Sequence, residues 1–281
     1  MEELYSKILK DIEMTGFVTE LRLASKMLER GWKVYQSETY LDKDFNISRE
    51  IDIHAYIFRR DSMLNVTVRL DLIIEVKKDS KRPWIIFTTP KSEFFDGANG
   101  YSALLKNGEN YYSEGKIIFG IKDFAKNFHK NKNPNIGRAF HEAFKNPSEN
   151  SKIYESLISC CKAAVFMSES SFEKVDKSKP FDKNGMSFFN LFLPVVVLEG
   201  NLFETSLKDS GEIKLEEKDW LPIKLNYSSK KYADEDFGSS SYYPDIAKFD
   251  KIDSYLELIE KWFDEISPQL ISAVKKHREQ D

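Results

Sequence analysis

Two neighbouring segments of alternating polar and apolar residues constrain the fold of this 281-residue chain most strongly. Residues 49–59 and 66–77 both alternate with period two, and residues 61–65 form the predicted turn between them. This pattern predicts a β-hairpin, because successive side chains of a strand point to opposite faces. Pairing Ile53 with Ile74 makes one face of the hairpin apolar throughout, and a slip of one residue would spoil that face. The pattern therefore predicts the register as well as the strands.

The other face of this hairpin carries the polar residues on which the functional interpretation depends. The predicted apolar face comprises Ile51, Ile53, Ala55, Ile57, Leu70, Leu72, Ile74 and Val76. On the polar face, Asp52 lies directly opposite Glu75, which sets their Cβ atoms about 5 Å apart. Two like charges at this distance need a shared proton or a neighbouring cation. Lys77 lies on the same face, and Mg²⁺ or Mn²⁺ would neutralise the pair more fully because these ions prefer oxygen ligands.

The remaining segments predict one α/β domain over residues 1–281, with a core at about 15–200 and added strands and a helix at about 201–281. The predicted helices are residues 15–30, 149–167 and 253–266. The predicted strands are residues 33–41, 84–89, 117–121, 191–198 and 212–226. In the first helix, the expected buried stripe is Phe17, Leu21, Ala24 and Leu28. Gly200 and Asn201 predict a loop that leads to a hairpin partner at residues 202–204, and residues 228–241 predict a longer loop.

Composition and charge exclude several classes of protein. The chain has 42 Lys and Arg against 46 Asp and Glu, so a uniformly basic surface is excluded but a single basic groove is not. Cys160 and Cys161 are adjacent, which excludes a disulfide framework and fits a reducing compartment. The sequence shows no signal peptide and no apolar segment of about 20 residues, so we expect a cytoplasmic protein with no membrane partner.

The order of acidic and basic residues resembles that of the PD-(D/E)XK nucleases, the restriction-endonuclease-like superfamily. The residues that carry the resemblance are Arg49–Ile53, Ile73–Lys78 and, in the first predicted helix, Thr19–Leu21. The resemblance implies a core of a helix, a three-stranded meander, a second helix and a strand, with a mixed central sheet. This order is also the order of elements predicted above from periodicity alone.

The resemblance also implies roles for individual residues. Asp52, Glu75 and the backbone carbonyl of Val76 would bind Mg²⁺, and Lys77 would act on the attacking water or on the phosphate. Glu20 would match the helix carboxylate that completes the metal site in part of the superfamily; a position on the helix surface is the alternative. The number of metal ions, one or two, is left open.

The sequence departs from the family pattern at two places. Ile51 precedes Asp52 where the motif has a proline, and the literal Pro244–Asp245 has no Glu-X-Lys after it, so we interpret that dipeptide as unrelated to the site. No particular subfamily matches the C-terminal residues. Basic residues predicted to contact nucleic acid follow the Glu-X-Lys segment: Lys78, Lys81 and Arg82.

These features predict a Mg²⁺-dependent nuclease that hydrolyses phosphodiester bonds, with DNA favoured over RNA. Restriction or antiviral defence beside a protein partner is the expected setting, and it rests on analogy between folds. The alternative is a catalytically inactive subunit of the same fold that binds nucleic acid or protein. The sequence leaves strandedness and oligomeric state open.

Overall fold

The computed structural model describes residues 1–91, 128–146, 148–173, 187–227, 229, 231 and 241–280. Its α-helices are α1 (Glu2–Met14), α2 (Phe17–Glu29), α3 (Lys152–Glu173) and α4 (Ile252–Gln280). Its strands are β1 (Lys33–Asp42), β2 (Ile47–Asp61), β3 (Val66–Pro90), β4 (Asn135–Glu142), β5 (Ser187–Leu207), β6 (Ile213–Glu217), β7 (Trp220–Pro222), β8 (Leu225–Asn226), β9 (Ser241–Tyr242) and β10 (Asp245–Lys248). The predicted strand 117–121 lies outside the described residues, as does most of the predicted loop 228–241.

The central sheet is mixed, which confirms the predicted α/β class. β1, β2 and β3 form the predicted antiparallel meander, and β5 runs parallel to β3. β10 runs parallel to β5 and extends the order to β1-β2-β3-β5-β10-β7. The C-terminal residues therefore add strands to the same sheet, while β4 pairs with the far end of β3 and β6 with the far end of β5.

The predicted hairpin register is confirmed. Ile53 pairs with Ile74, and the ladder runs without a shift to the pair of Asp61 with Val66. The turn is stabilised by the Asp61 carboxylate, which accepts the backbone N–H groups of Met63 and Leu64. Asn65 closes the turn with a φ of 52°, a left-handed conformation that asparagine tolerates better than most residues.

Helices cover both faces of the sheet. On one face, α2 and α4 pack against the apolar side of the hairpin through residues such as Met27 and Trp262. On the other face, α3 buries Leu157 and both cysteines against β3 and β5. Cys160 and Cys161 are buried and unbridged, so in this structure they fill helix-to-sheet space.

The predicted buried stripe of α2 is wrong at three of its four positions. Phe17, Leu21 and Leu28 are exposed, and only Ala24 of the predicted stripe is buried. The helix instead turns Leu23, Ala24 and Met27 into the core. Two apolar stripes of helical spacing run along this segment, and periodicity alone does not distinguish the stripe that faces the sheet. This rotation of the helix matters for Glu20, as described below.

The predicted loop at Gly200 is also wrong, since β5 continues through Gly200 and Asn201 to Leu207. A Cβ atom on Gly200 would lie 2.5 Å from the carbonyl oxygen of Asp79 in the neighbouring strand. The glycine therefore permits a close backbone approach between β5 and β3, and it marks no turn. The predicted strand 84–89 is likewise the continuation of β3, past an irregular segment between Asp79 and Trp84.

Candidate active site

β2 separates from β3 at Asp52. The β2–β3 ladder ends at the pair of Ile53 with Ile74, whereas β2 stays paired with β1 as far as Ile47. At this point the backbone N–H of Val76 donates to Asp52 Oδ2 at 2.7 Å. A side-chain oxygen therefore takes the place of a main-chain acceptor. Beyond this point β2 and β3 are no longer paired, and we call the place where they separate, at Asp52, the fork.

The strand alternation breaks at the same position. The β1–β2 ladder skips the opposed residues Ser37 and Asp52, and Ser37 has a φ of 57°. Beyond this break, Ile51 packs with Ile73 and Ala163 on the face covered by α3. The prediction that Ile51 shares the apolar face of Ile53 is therefore wrong, because a strict period of two does not continue through the fork.

Glu75 and Lys77 lie beside Asp52, on β3. Lys77 Nζ is 2.5 Å from Glu75 Oε1, and both side chains are more than half buried. Ser159 on α3 lies near enough to Glu75 to lower its pKa, and the Ser159 hydroxyl is 3.3 Å from the hydroxyl of Tyr40. The helix that covers this face thus brings a hydroxyl group close to the glutamate.

The structure places Glu20 near Asp52 and Glu75, and its role as a metal ligand stays a prediction. On α2 it precedes Leu23, Ala24 and Met27 by three, four and seven residues, so it shares the face that packs on the sheet. The pKa of Glu20 is raised to about 7, first by burial and then by the charges of Asp52, Glu50 and Glu75, with Lys77 opposing. Charge effects of this size need nearby groups, so the helix carboxylate lies close to the strand carboxylates.

The site carries more acidic groups than one lysine neutralises. Burial raises the pKa of Asp52, against the hydrogen bond from Val76 and the charge of Lys77. Burial and the charge of Asp52 raise the pKa of Glu75, although Lys77 is its ion-pair partner. The pKa of Lys77 is raised because Glu75, Asp52 and Glu20 outweigh the effect of burial on the ammonium group.

Sequence reasoning missed two participants in this site. Glu50 lies two residues before Asp52 and raises the pKa of both Asp52 and Glu20 through its charge. Its position in the Glu-Ile-Asp run was the available signal. Ser159 had no comparable signal, because it is one of several small polar residues on α3, and its partner Glu75 lies on another element.

The three predicted nucleic-acid contacts lie in different surroundings. Lys78 is 3.2 Å from Glu199, and Arg82 forms an ion pair with Glu149. Lys81 is exposed. Their roles toward nucleic acid stay predictions, and the ion pairs of Lys78 and Arg82 would have to be exchanged for contacts with phosphate.

The donor chemistry of the site fits a hard divalent cation. Within the described ranges, no three His, Cys, Asp or Glu side chains are arranged as a metal centre. The side chains of Glu20, Asp52 and Glu75 nevertheless supply only oxygen donors, which Mg²⁺ prefers. Burial raises the pKa values of all three carboxyl groups, and neighbouring negative charge raises them further, so a bound cation would favour their ionised forms. The Lys77–Glu75 ion pair must loosen for Glu75 to become a ligand.

Asp245, the aspartate of the Pro-Asp dipeptide, lies elsewhere in the sheet. It is fully buried on β10, where Lys130 Nζ lies 3.0 Å from Oδ1 and the Tyr255 hydroxyl donates to Oδ2 at 2.8 Å. Lys130, one of the basic residues near the middle of the chain, is thereby withdrawn from the surface. This network joins β10 to α4 and to the segment before β4.

The chain matches no family model, no curated protein and no solved structure. Among the described residues, no helix is both long enough and apolar enough to cross a membrane.

Proposed function

We propose that this protein is a metal-dependent nuclease that hydrolyses phosphodiester bonds. The observation that carries the proposal is the convergence of Glu20, Asp52, Glu75 and Lys77 from α2, β2 and β3 on the fork in the sheet. Buried carboxylates with raised pKa values beside a lysine are costly for folding, and such groups cluster at functional sites. Their residue types are those that metal-assisted phosphodiester hydrolysis requires.

The topology supports a restriction-endonuclease-like core. The order α2-β1-β2-β3-α3-β5 has the helix, meander, helix and strand that the resemblance implies. β5 lies beside β3, so the sheet is mixed at the strand that carries Glu75. β4 is an addition between β3 and α3 that pairs with the distal end of β3, away from the fork.

In the proposed mechanism, Asp52, Glu75, Glu20 and the carbonyl of Val76 would hold Mg²⁺. A bound Mg²⁺ lowers the pKa of a coordinated water and neutralises charge on the scissile phosphate. The N–H of Val76 fixes the Asp52 carboxylate against rotation, and Lys77 Nζ donates to Glu75. Lys77 stays protonated at neutral pH, since its pKa is raised, so its role is to stabilise negative charge on the phosphate and to orient water.

DNA is the proposed substrate, with RNA as the second possibility, because these site residues do not sense the sugar. The proposed setting is restriction or antiviral defence beside a protein that locates the target. Lys78, Lys81 and Arg82 are the proposed phosphate contacts along β3.

The test is cleavage of plasmid, single-stranded DNA and RNA with Mg²⁺, Mn²⁺ or EDTA. We expect Glu75→Gln and Lys77→Ala each to lower metal-dependent cleavage by about a hundred- to a thousandfold, because each removes stabilisation of the transition-state charge. Lys214→Ala and Glu216→Gln are matched controls, since these residues form an ion pair of the same spacing on β6, 2.8 Å apart. Both controls should cleave like the unaltered protein.

Two results would contradict the proposal. Cleavage that survives both site variants would show that the activity belongs to another site or to a contaminant. A folded protein that binds nucleic acid but cleaves no substrate with any metal would favour the catalytically inactive subunit.

A further inference from the structure

The sheet face that carries Glu75 continues past the site as an aromatic surface. Four side chains on this face form what we call the aromatic strip. They are Tyr35 of β1, Tyr56 and Phe58 of β2, and Arg69 of β3. The register pairs Phe58 directly with Arg69. Arg59, the next residue of β2, points to the other face, where it contacts α4. The strip therefore lies on the side of the sheet covered by α3.

The strip is stacked and partly open to solvent. The rings of Tyr35 and Tyr56 are 6.1 Å apart and tilted by only 16°, and the guanidinium carbon of Arg69 lies 3.7 Å from the centre of the Tyr56 ring. Tyr35 is 46% exposed and Phe58 is 47% exposed. A planar ligand can add to this stack by packing against the exposed ring faces.

A buried polar network holds the strip in place. His54 is buried, with Nδ1 2.5 Å from Glu38 and Nε2 2.7 Å from Asp71. Asp71 also forms an ion pair with Arg69. The two carboxylates of this surface are therefore paired, Glu38 with His54 and Asp71 with His54 and Arg69. The ion pair with Asp71 also holds Arg69 over Tyr56.

Cations lie along the strip. Lys33 is two residues from Tyr35 on β1, and Arg60 is two residues from Phe58 on β2, so each shares the face of its aromatic neighbour. Both are exposed, and neither pairs with a carboxylate of the described residues. Aromatic rings flanked by free positive charge are complementary to a polyanion that carries flat bases.

We propose that the aromatic strip binds a single-stranded segment of nucleic acid and directs the bound strand to the site at Asp52. This inference rests on the proposed function, because it specifies that the nucleic acid reaching the proposed nuclease site is single-stranded. Unpaired bases can stack on exposed rings, whereas a duplex keeps its base faces inside the helix. Tyr56 is four residues from Asp52 along β2, about 13 Å, so a strand anchored on the strip reaches the site within a few nucleotides.

The experiment measures binding by fluorescence anisotropy in EDTA, so that it does not depend on cleavage. The probes are a labelled 20-nucleotide oligo-dT, the matching oligo-U and a duplex of the same length. The double variant Tyr35→Ala/Phe58→Ala should raise the Kd for a single strand at least about tenfold, since loss of one base stack has about this effect. Oligo-dT and oligo-U then distinguish DNA from RNA.

The matched control is the double variant Tyr154→Ala/Phe87→Ala, whose side chains are 41% and 45% exposed on α3 and at the distal end of β3. This control should leave the Kd unchanged. Tyr35→Trp/Phe58→Trp keeps both rings and should restore binding of single strands. It also separates loss of stacking from loss of structure.

The outcomes separate this inference from the proposed function. If Tyr35→Ala/Phe58→Ala binds single strands as tightly as the unaltered protein, or if the control weakens binding equally, the strip is not a binding surface, whatever the protein cleaves. If single strands bind through the strip and no nucleic acid is cleaved with any metal, the inference stands and the nuclease proposal fails. Preference for the duplex with no effect of the strip variants would overturn the inference alone.

Discussion

Two clusters on the α3 side of the sheet each place carboxylates around one lysine, and their electrostatics are opposite. In the first cluster, Lys162 of α3 contacts Asp42 at 3.0 Å and Asp44 at 2.8 Å. The pKa of Asp44 is lowered to about 2 by hydrogen bonds from Lys162 and other donors, which outweigh burial. In the second cluster, the pKa values of Asp52 and Glu75 are raised, although Lys77 is adjacent to both.

The difference lies in how completely the acidic groups are bonded. Asp42 accepts from Lys162 and from Arg49, and Asp44 accepts from the hydroxyls of Tyr227 and Ser229. At the fork, the charge of Lys77 is shared among three acidic residues, Glu20, Asp52 and Glu75. Glu50 adds a fourth negative charge that acts on Glu20 and Asp52. The carboxylates of the first cluster are fully bonded, whereas those of the second are less completely neutralised, which fits the proposed cation site.

The largest expected difference is between two lysine replacements. Lys162→Met should lower the free energy of unfolding by about 3 kcal/mol, because the buried Asp42 then keeps only Arg49 and the partly buried Asp44 loses its lysine. Lys77→Met should lower it by about 1 kcal/mol or less, since the Lys77 side chain is 31% exposed and pairs with one carboxylate, that of Glu75. Urea denaturation at pH 7 in EDTA measures both. Equal losses would remove the distinction between the clusters.

Metal should stabilise the protein through the second cluster only. Mg²⁺ at about a hundred times its Kd should raise the free energy of unfolding by about 2.7 kcal/mol. Glu75→Gln should abolish this increment, whereas Asp44→Asn should retain it. Thermal denaturation with and without Mg²⁺ gives the comparison. A Mg²⁺ effect that persists in Glu75→Gln would place the ion elsewhere.

Glu20 should make stability fall as pH rises toward neutrality. Its pKa in the folded protein is about 7, above the unfolded value of 4.5, so the unfolded state releases its proton first. The free energy of unfolding therefore decreases between about pH 4.5 and 7 and levels off above that. Glu20→Gln should remove this decrease and stabilise the protein by about 1 kcal/mol at pH 7, a value reduced for solvent screening. Metal-free denaturation curves from pH 4.5 to 7.5 test it.

Asp44 should act in the opposite sense and at lower pH. Its pKa of about 2 lies below the unfolded value of 3.8, so its contribution is present above pH 3.8 and is lost as pH falls toward 2. Asp44→Asn should therefore be less stable by about 1 kcal/mol or less above pH 4. The two proteins should converge near pH 2. A difference that grows on acidification would contradict this assignment.

The sequence predicted the hairpin well because its two faces differ so strongly. The pairing of Ile53 with Ile74 and the turn after Asp61 both follow from local pattern and turn chemistry. The strand order could be anticipated only in part, since the parallel pairing of β5 with β3 joins residues more than a hundred positions apart.

The failures occurred where two solutions fit the same pattern. The α2 segment has apolar residues on both sides, so the burial of Leu23 in place of Leu21 depends on the tertiary context. That choice also decided the position of Glu20, for which the sequence left two alternatives. Gly200 matched a turn equally well, and only the approach of Asp79 explains its place inside a strand. The break in alternation at Asp52 left no trace in the residue pattern.

The hydrogen bond from the Val76 amide to Asp52 has a practical consequence for any mutational study of this protein. An alanine at position 52 removes a carboxylate and also leaves a main-chain donor without its acceptor at the point where two strands part. Its effects on rate and on folding would therefore be mixed. Asparagine removes the charge but keeps an oxygen that can accept from the Val76 amide. Asp52→Asn therefore separates the effect on the reaction rate from the effect on folding.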